Sequence, residues 1–241
     1  MSNTVYENLV FSESDGELTL VRCEGSPREV EIPSFVSGLP VSAIGDGAFS
    51  YKVELRSVKL PSEHPFEIGE YAFSGCTVLS EIEIPECCTA VLRGAFSKCQ
   101  SLCKASFSES TYIGSYAFSG CKSLESISSL SYASEGVLSD CISLFSLTLS
   151  PSLESIDEDA FLHCESVSEL FIPKNVTRVE ALALRGCKNL KRVCFESPHG
   201  WVLDSQYRDD PIPLDLSDPE KNALRLSRMD FDDGVICWRK A

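Results

Sequence analysis

The amino-acid sequence predicts an α/β repeat solenoid, about eight short coils stacked along one axis with a cap at each end. A parallel β-sheet is expected on the concave side and short turns or helical turns on the convex side. Three observations predict this. An Ala-Phe pair recurs at near-constant spacing through the 241 residues. Five other positions keep register with it. Each apolar burst is too short to bury itself, so neighbouring copies must complete the core.

The pair stands at Ala48-Phe49, Ala72-Phe73, Ala95-Phe96, Ala117-Phe118 and Ala160-Phe161, with Val137-Leu138 and Ala183-Leu184 as degenerate copies. Successive second members lie 24, 23, 22, 20, 23 and 23 residues apart. Taking that residue as an anchor, the fifth position before it holds Ile44, Ile68, Val91, Ile113, Ala133, Ile156 and Val179. The third after it holds Lys52, then Cys76, Cys99, Cys121, Cys141, Cys164 and Cys187. The sixth holds Leu55, Leu79, Leu102, Leu124, Leu144, Val167 and Leu190, and the ninth Val58, Ile82, Ala105, Ile127, Leu147, Leu170 and Val193. The eleventh holds Leu60, Ile84, Phe107, Ser129, Leu149, Ile172 and Phe195. An earlier coil lacks the pair, but Val30 and Ile32 fill its last two columns and Pro33 matches Pro61, Pro85 and Pro173.

Each column has a physical reason. The Leu-x-x-Ile-x-Ile end of a coil alternates apolar and polar residues, the pattern of a half-buried strand. The Ile-Gly-x-x-Ala-Phe end turns the chain back and inserts an aromatic ring, with alanine letting adjacent coils approach.

The segment Ile68-Gly69-Glu70-Tyr71-Ala72-Phe73-Ser74-Gly75-Cys76 through Ile82-Glu83-Ile84-Pro85, with its counterparts, resembles the BspA-like leucine-rich repeat proteins. The likeness covers roughly residues 26–196, and Ile32-Pro33, Gly38-Leu39-Pro40-Val41 and Ile44-Gly45 look like that family's first coil. The resemblance implies a leucine-rich-repeat right-handed superhelix, surface-exposed or secreted in many members, used for adhesion and protein binding.

Solenoid ends expose core and strand edges, so caps are expected. Residues 1–25 are read as an N-terminal β-hairpin cap, 26–196 as the solenoid and 197–241 as a C-terminal cap of one continuous domain. In the first cap, Val5 to Phe11 and Leu18 to Cys23 flank a Ser14-Asp15-Gly16 turn. In the last, Trp201-Val202-Leu203 suggests a strand, residues 204–216 an irregular loop, and Val235 to Trp238 a final strand. Asp218 before Pro219 is an N-cap with proline at the first helical position. Trp201 and Trp238 are read as large residues closing the core.

The formal charge of -15 repels phosphate backbones and anionic lipid, so neither nucleic acid nor membrane insertion is expected. No apolar run approaches the ~20 residues of a helical span. Met1 to Asn8 lacks a charged n-region and an apolar h-region, so the chain as written is expected in the cytoplasm. The family resemblance implies the alternative of the cell surface or secretion.

Few residues invite catalytic chemistry. Six stacked thiols suggest a metal rail, but no Cys-x-x-Cys pair is present, and free cysteine packs readily as a small buried side chain. Cys103 is expected to face outward, and Cys87-Cys88 to lie in a loop as two ordinary thiols. His64, His163 and His199 have no nucleophile and carboxylate beside them in register, and His163 should face away from Cys164. Asp230-Phe231-Asp232-Asp233-Gly234 lacks the ligand pattern of a calcium loop. Asn175-Val176-Thr177 is a sequon only in a secretory eukaryotic setting. No catalytic residue, metal or cofactor is assigned.

Binding is therefore sought on the outward side of the repeat strands. The eighth column after the anchor carries Glu29, Ser57, Glu81, Lys104, Ser126, Ser146, Glu169 and Arg192. The tenth carries Glu31, Lys59, Glu83, Ser106, Ser128, Thr148, Phe171 and Cys194. Opposite charges are expected to pair along Glu31, Lys59 and Glu83. The C-terminal half offers a candidate binding strip of Phe145, Thr148, Glu169, Phe171, Lys191 and Arg192, exposed aromatics bordered by charge. The reading is a non-catalytic module for a protein or peptide, with a glycan also compatible. The alternatives are a structural or self-associating scaffold and, more remotely, an enzyme with a site in the C-terminal cap.

Overall fold

A computed structural model describes residues 3–180, 182–205, 212–228 and 235–241. The chain winds into a β-solenoid of about eight turns, and most turns place strands on two faces rather than one. The second ladder was expected: Glu29–Glu31 pairs with Ser57–Lys59, Lys104–Ser106 with both Glu81–Glu83 and Ser126–Ile127, and Glu169–Ile172 with Arg192–Phe195, all parallel. The first ladder was not. It joins Leu39–Ile44, Phe66–Ile68, Cys88–Val91 and Tyr112–Ile113, and resumes with Ser155–Ile156 and Arg178–Glu180. Its cause is visible in Ile44, Ile68, Val91 and Ile113, which are wholly buried, while Glu67 and Tyr112 just before two of them are exposed. That is a period of two on a β-branched column. Cys88 consequently opens a strand instead of lying in a loop.

Between the ladders the core is a stack of anchors. The rings of Phe49, Phe73, Phe96 and Phe118 are nearly parallel at centroid separations of 4.9, 5.1 and 5.4 Å. Leu138 ends the stack. Successive coils are tied at the anchor itself: Phe73 N–H donates to Ala95 O at 2.7 Å and Phe96 N–H to Ala117 O at 2.8 Å. The cysteine column completes the tie. Cys76 donates its thiol to Phe49 O, Cys99 to Phe73 O, Cys121 to Phe96 O, Cys164 to Leu138 O and Cys187 to Phe161 O, each at 3.2 Å, and Cys141 to Phe118 O at 3.3 Å. A buried carbonyl with a spare lone pair thus gains a donor from the next coil.

The corners are hydrogen-bonded turns, and among the described residues the one α-helix is Pro219–Arg228, so helical turns behind the sheet are not found. Left-handed residues stand two before and two after each anchor, a conformation no α-helix accommodates. Around Phe73 they are Tyr71 (φ 54°) and Gly75 (φ 73°); around Phe96, Gly94 (φ 62°) and Lys98 (φ 60°). Glycine and a larger residue alternate between the two positions, so a ring of one coil lies over a glycine of the next. A Cβ added at Gly94 would stand 2.5 Å from the Tyr71 ring, and one at Gly136 2.2 Å from that of Tyr116. The alternation slips at Phe161, flanked by Asp159 and His163 with no glycine.

The short coil departs from the expected register. Ser126 bridges Ser146 and Leu130 bridges Leu149, so four residues on one coil match three on the next. Leu130 turns inward and is fully buried, whereas Ser129 is half-buried. Burying a leucine outweighs regular strand pairing, and the extra residue is absorbed as a bulge.

At the N-terminus the first expected strand is two, Asn3–Tyr6 and Leu9–Ser14, broken at Glu7 (φ 53°). Glu17–Cys23 then pairs parallel with Leu39–Ile44, joining this antiparallel unit to the first ladder. At the other end Val235–Lys240 pairs antiparallel with Arg178–Glu180 and Trp201–Ser205. A strand at Ile212–Leu214 falls within the stretch expected to be irregular, and pairs with Trp201–Ser205. Asp218 accepts from the N–H groups of Glu220 and Lys221, both at 3.1 Å, and caps the helix as expected. Trp201 and Trp238 are buried over Phe195, at 5.0 and 6.3 Å between centroids. Buried Asn222 ties the helix to the last coil by donating to Val193 O at 3.1 Å.

Candidate functional site

All six residues of the candidate strip are exposed. Phe145 and Phe171 are 62% and 55% accessible, unlike the seven fully buried phenylalanines that include the anchors. The parallel register of Glu169–Ile172 with Arg192–Phe195 sets Glu169 beside Arg192 and Phe171 beside Cys194. Arg192 Nη1 lies 3.7 Å from Glu169 Oε1, an exposed pair worth at most about 1 kcal/mol. Lys191 and Arg192 both donate backbone N–H to Ser168 O, which fixes their side chains on this edge. Phe145 N–H donates to Glu125 O at 3.3 Å on the other side.

The structure therefore joins Glu169, Phe171, Lys191 and Arg192 in one ladder segment. Phe145 and Thr148 belong to the preceding coil, and no described strand pairing links that coil to Glu169–Ile172. The second ladder is three segments, not one continuous sheet, and the strip crosses an interruption. In its N-terminal half Lys59 Nζ meets Glu31 Oε1 at 2.6 Å, as the charge pattern predicts.

All twelve cysteines are free, and among the described residues no group of three or more His, Cys, Asp or Glu could hold an ion. Burial pushes the thiols of Cys76, Cys121 and Cys187 up to about 12, and those of Cys99, Cys141 and Cys164 well above the ordinary range. A thiol so hard to ionise is a poor nucleophile and ligand. Cys103 is exposed, as expected. His163 turns from buried Cys164 to Asp140, Nδ1 to Oδ1 2.9 Å. The Asp230 to Gly234 segment lies outside the described residues.

The corners carry an electrostatic chain absent from the sequence reading. Arg93 Nε donates to Tyr71 Oη at 3.3 Å, its guanidinium lies 4.9 Å from the Tyr116 ring centroid, and Tyr116 Oη donates to Glu135 at 2.7 Å. The bond to Glu135 holds the Tyr116 phenol up at about 12. Burial, reinforced by like charges, raises Glu158 and Asp159 nearby. Also missed is a notch of about 400 Å3 on the flank between the ladders, lined by Glu109, Ser131, Tyr132, Glu154 and Asp157 among others. One signal was available: four residues separate Ser129 from Ala133, against seven from Ile84 to Val91 and from Leu149 to Ile156.

Stacked coils with two parallel ladders and an in-register anchor column define a leucine-rich repeat solenoid. The family model described as BspA type leucine rich repeat region matches in six copies over residues 42–135 and 108–202, and the chain belongs to that family. Among solved structures it is similar to a T. pallidum leucine rich repeat protein, at 30% identity over 81% of this chain and 84% of the other, with a TM-score of 0.57. It also shares its fold with a leucine rich cell surface protein of Faecalibacterium prausnitzii, at 21% identity over 91% of this chain and 62% of the other, with a TM-score of 0.59. No curated protein matches the chain.

Proposed function

We propose that the protein is a non-catalytic binding module that recognises a protein or peptide through the outward, concave face of the second ladder. The observation that carries this reading is the pair of exposed phenylalanines, Phe145 and Phe171, on coils whose other outward positions are mostly serine, threonine or charged. Neither ring is needed by the core. Bordered by Thr148, Glu169, Lys191 and Arg192, they offer desolvated area with polar groups to orient a partner. Family membership supports the general role, because repeat solenoids of this kind typically mediate protein interaction. Display at the cell surface is the placement we favour, since one structural relative is described as a cell surface protein. Among the described residues no helix is long and apolar enough to cross a membrane.

A photo-crosslinking residue placed at 145 or 171, and separately at Glu67 on the first ladder, tests the face. The proposal expects a discrete crosslinked partner from 145 and 171 and none from 67. Equal crosslinking from all three positions contradicts it.

A further inference from the structure

The shortened coil opens a recess that neither ladder accounts for. Its neighbours meet across it: Ser150 Oγ donates to Glu109 Oε2 at 3.3 Å over 41 residues of sequence, two coils apart. Glu109 also borders an open notch of about 400 Å3, within the ~300–1,000 Å3 of small-molecule sites.

Its lining is rich in acceptors. The carboxylates of Glu109, Glu154 and Asp157 border it, and no basic residue does. The buried Ser131 hydroxyl has no hydrogen-bond partner. One wall is aromatic. Tyr132 is 42% exposed and braced edge-on by Tyr112, ring centroids 5.1 Å apart at 67°. In the next coil its column holds Ser155, which leaves the ring beside open space.

Such a lining suits a ligand with several hydroxyl donors around a ring that has one apolar face. The carboxylates do not form a cage for a point charge, since no three acidic, histidine or cysteine groups here could hold an ion. Separated acceptors fit hydroxyls spaced around a ring better than a single ammonium. An anionic sugar would be repelled by three carboxylates.

We infer that this notch binds one ring of a neutral saccharide, with the ring face against Tyr132 and hydroxyls donating to Glu109, Glu154 and Asp157. The site is separate from the strip of Phe145 and Phe171 and does not depend on it.

Saturation-transfer NMR on the full chain tests the assignment, using neutral hexoses, N-acetylhexosamines and their disaccharides as probes, with glucuronate and spermidine as controls. Transfer is expected to at least one neutral sugar and not to glucuronate. Tyr132→Ala should abolish it, and Glu154→Gln should weaken binding roughly tenfold, the scale of one hydrogen bond to a charged group. Thermal melting confirms that each variant is folded, and Glu154→Gln on the exposed rim serves if Tyr132→Ala is not. No transfer to any neutral sugar, transfer to spermidine alone, or unchanged transfer in folded variants overturns the inference.

Discussion

The Cys99 thiol donates to the Phe73 carbonyl oxygen one coil earlier, at 3.2 Å, and five other cysteines repeat the contact. The column is therefore a set of inter-coil donors in a dry core. Because burial raises these thiols in the folded state, their contribution is complete below the unfolded thiol value, near about pH 8.5, and is lost as pH rises above it. Each thiol that ionises only on unfolding adds about 1.4 kcal/mol per pH unit to the slope. Urea unfolding between pH 7 and pH 10 should show steep alkaline loss, and Cys121→Ala should reduce the slope by one proton. A flat profile contradicts this.

Tyr116 over Gly136 gives a second prediction. Gly136→Ala adds a Cβ in a left-handed conformation and 2.2 Å from the ring, so it should destabilise by about 1 kcal/mol for the backbone plus the cost of moving the ring. Gly47→Ala meets nothing closer than 3.8 Å and should show the backbone cost alone. Unfolding free energies of Gly136→Ala with and without Tyr116→Ala measure the difference. Equal losses in all backgrounds refute the packing account.

The repeat, the start of the helix and the buried cysteines were legible because each follows from local spacing and side-chain chemistry. The second face was not. Ile44, Ile68 and Val91 were read as turn residues, since two or three extended residues are too few to display a period. Ser129 was placed in the core by counting, and the structure buries Leu130 because packing sets register where strand pairing is weak. Exposure of Phe145 and Phe171 follows from the columns, but the interruption between their coils does not, since column spacing alone does not show where neighbouring strands pair. The Tyr-Gly alternation was present in sequence and becomes interpretable only once adjacent coils are stacked.

The coil of residues 129–149 retains buried Leu130 but holds its neighbours by isolated bridges rather than a continuous ladder. Hydrogen exchange should therefore show amides there opening before those of residues 68–84, as a weak link in a one-dimensional stack. Equal protection in the two regions counts against it.

Glu158 and Asp159 are raised chiefly by burial, so their charged forms weigh against the fold at neutral pH and protonation relieves them. Their contribution is greatest below the unfolded carboxylate range and lost as pH rises through the raised folded values. Glu158→Gln with Asp159→Asn should raise Tm at pH 7 by a few degrees at most and leave Tm at pH 4 unchanged. Asparagine suits the left-handed backbone at 159. A lower Tm at pH 7 would show that these charges stabilise the corner.

The functional account rests on two rings that the core does not need. Its most direct measurement is the affinity of the crosslinked partner for the wild-type chain and for Phe145→Ser with Phe171→Ser, alongside thermal melting of both. The account predicts binding weaker by about 2–4 kcal/mol, the scale of interface hot spots, with Tm nearly unchanged. Full-strength binding by the double variant, or its unfolding, contradicts the assignment of this face.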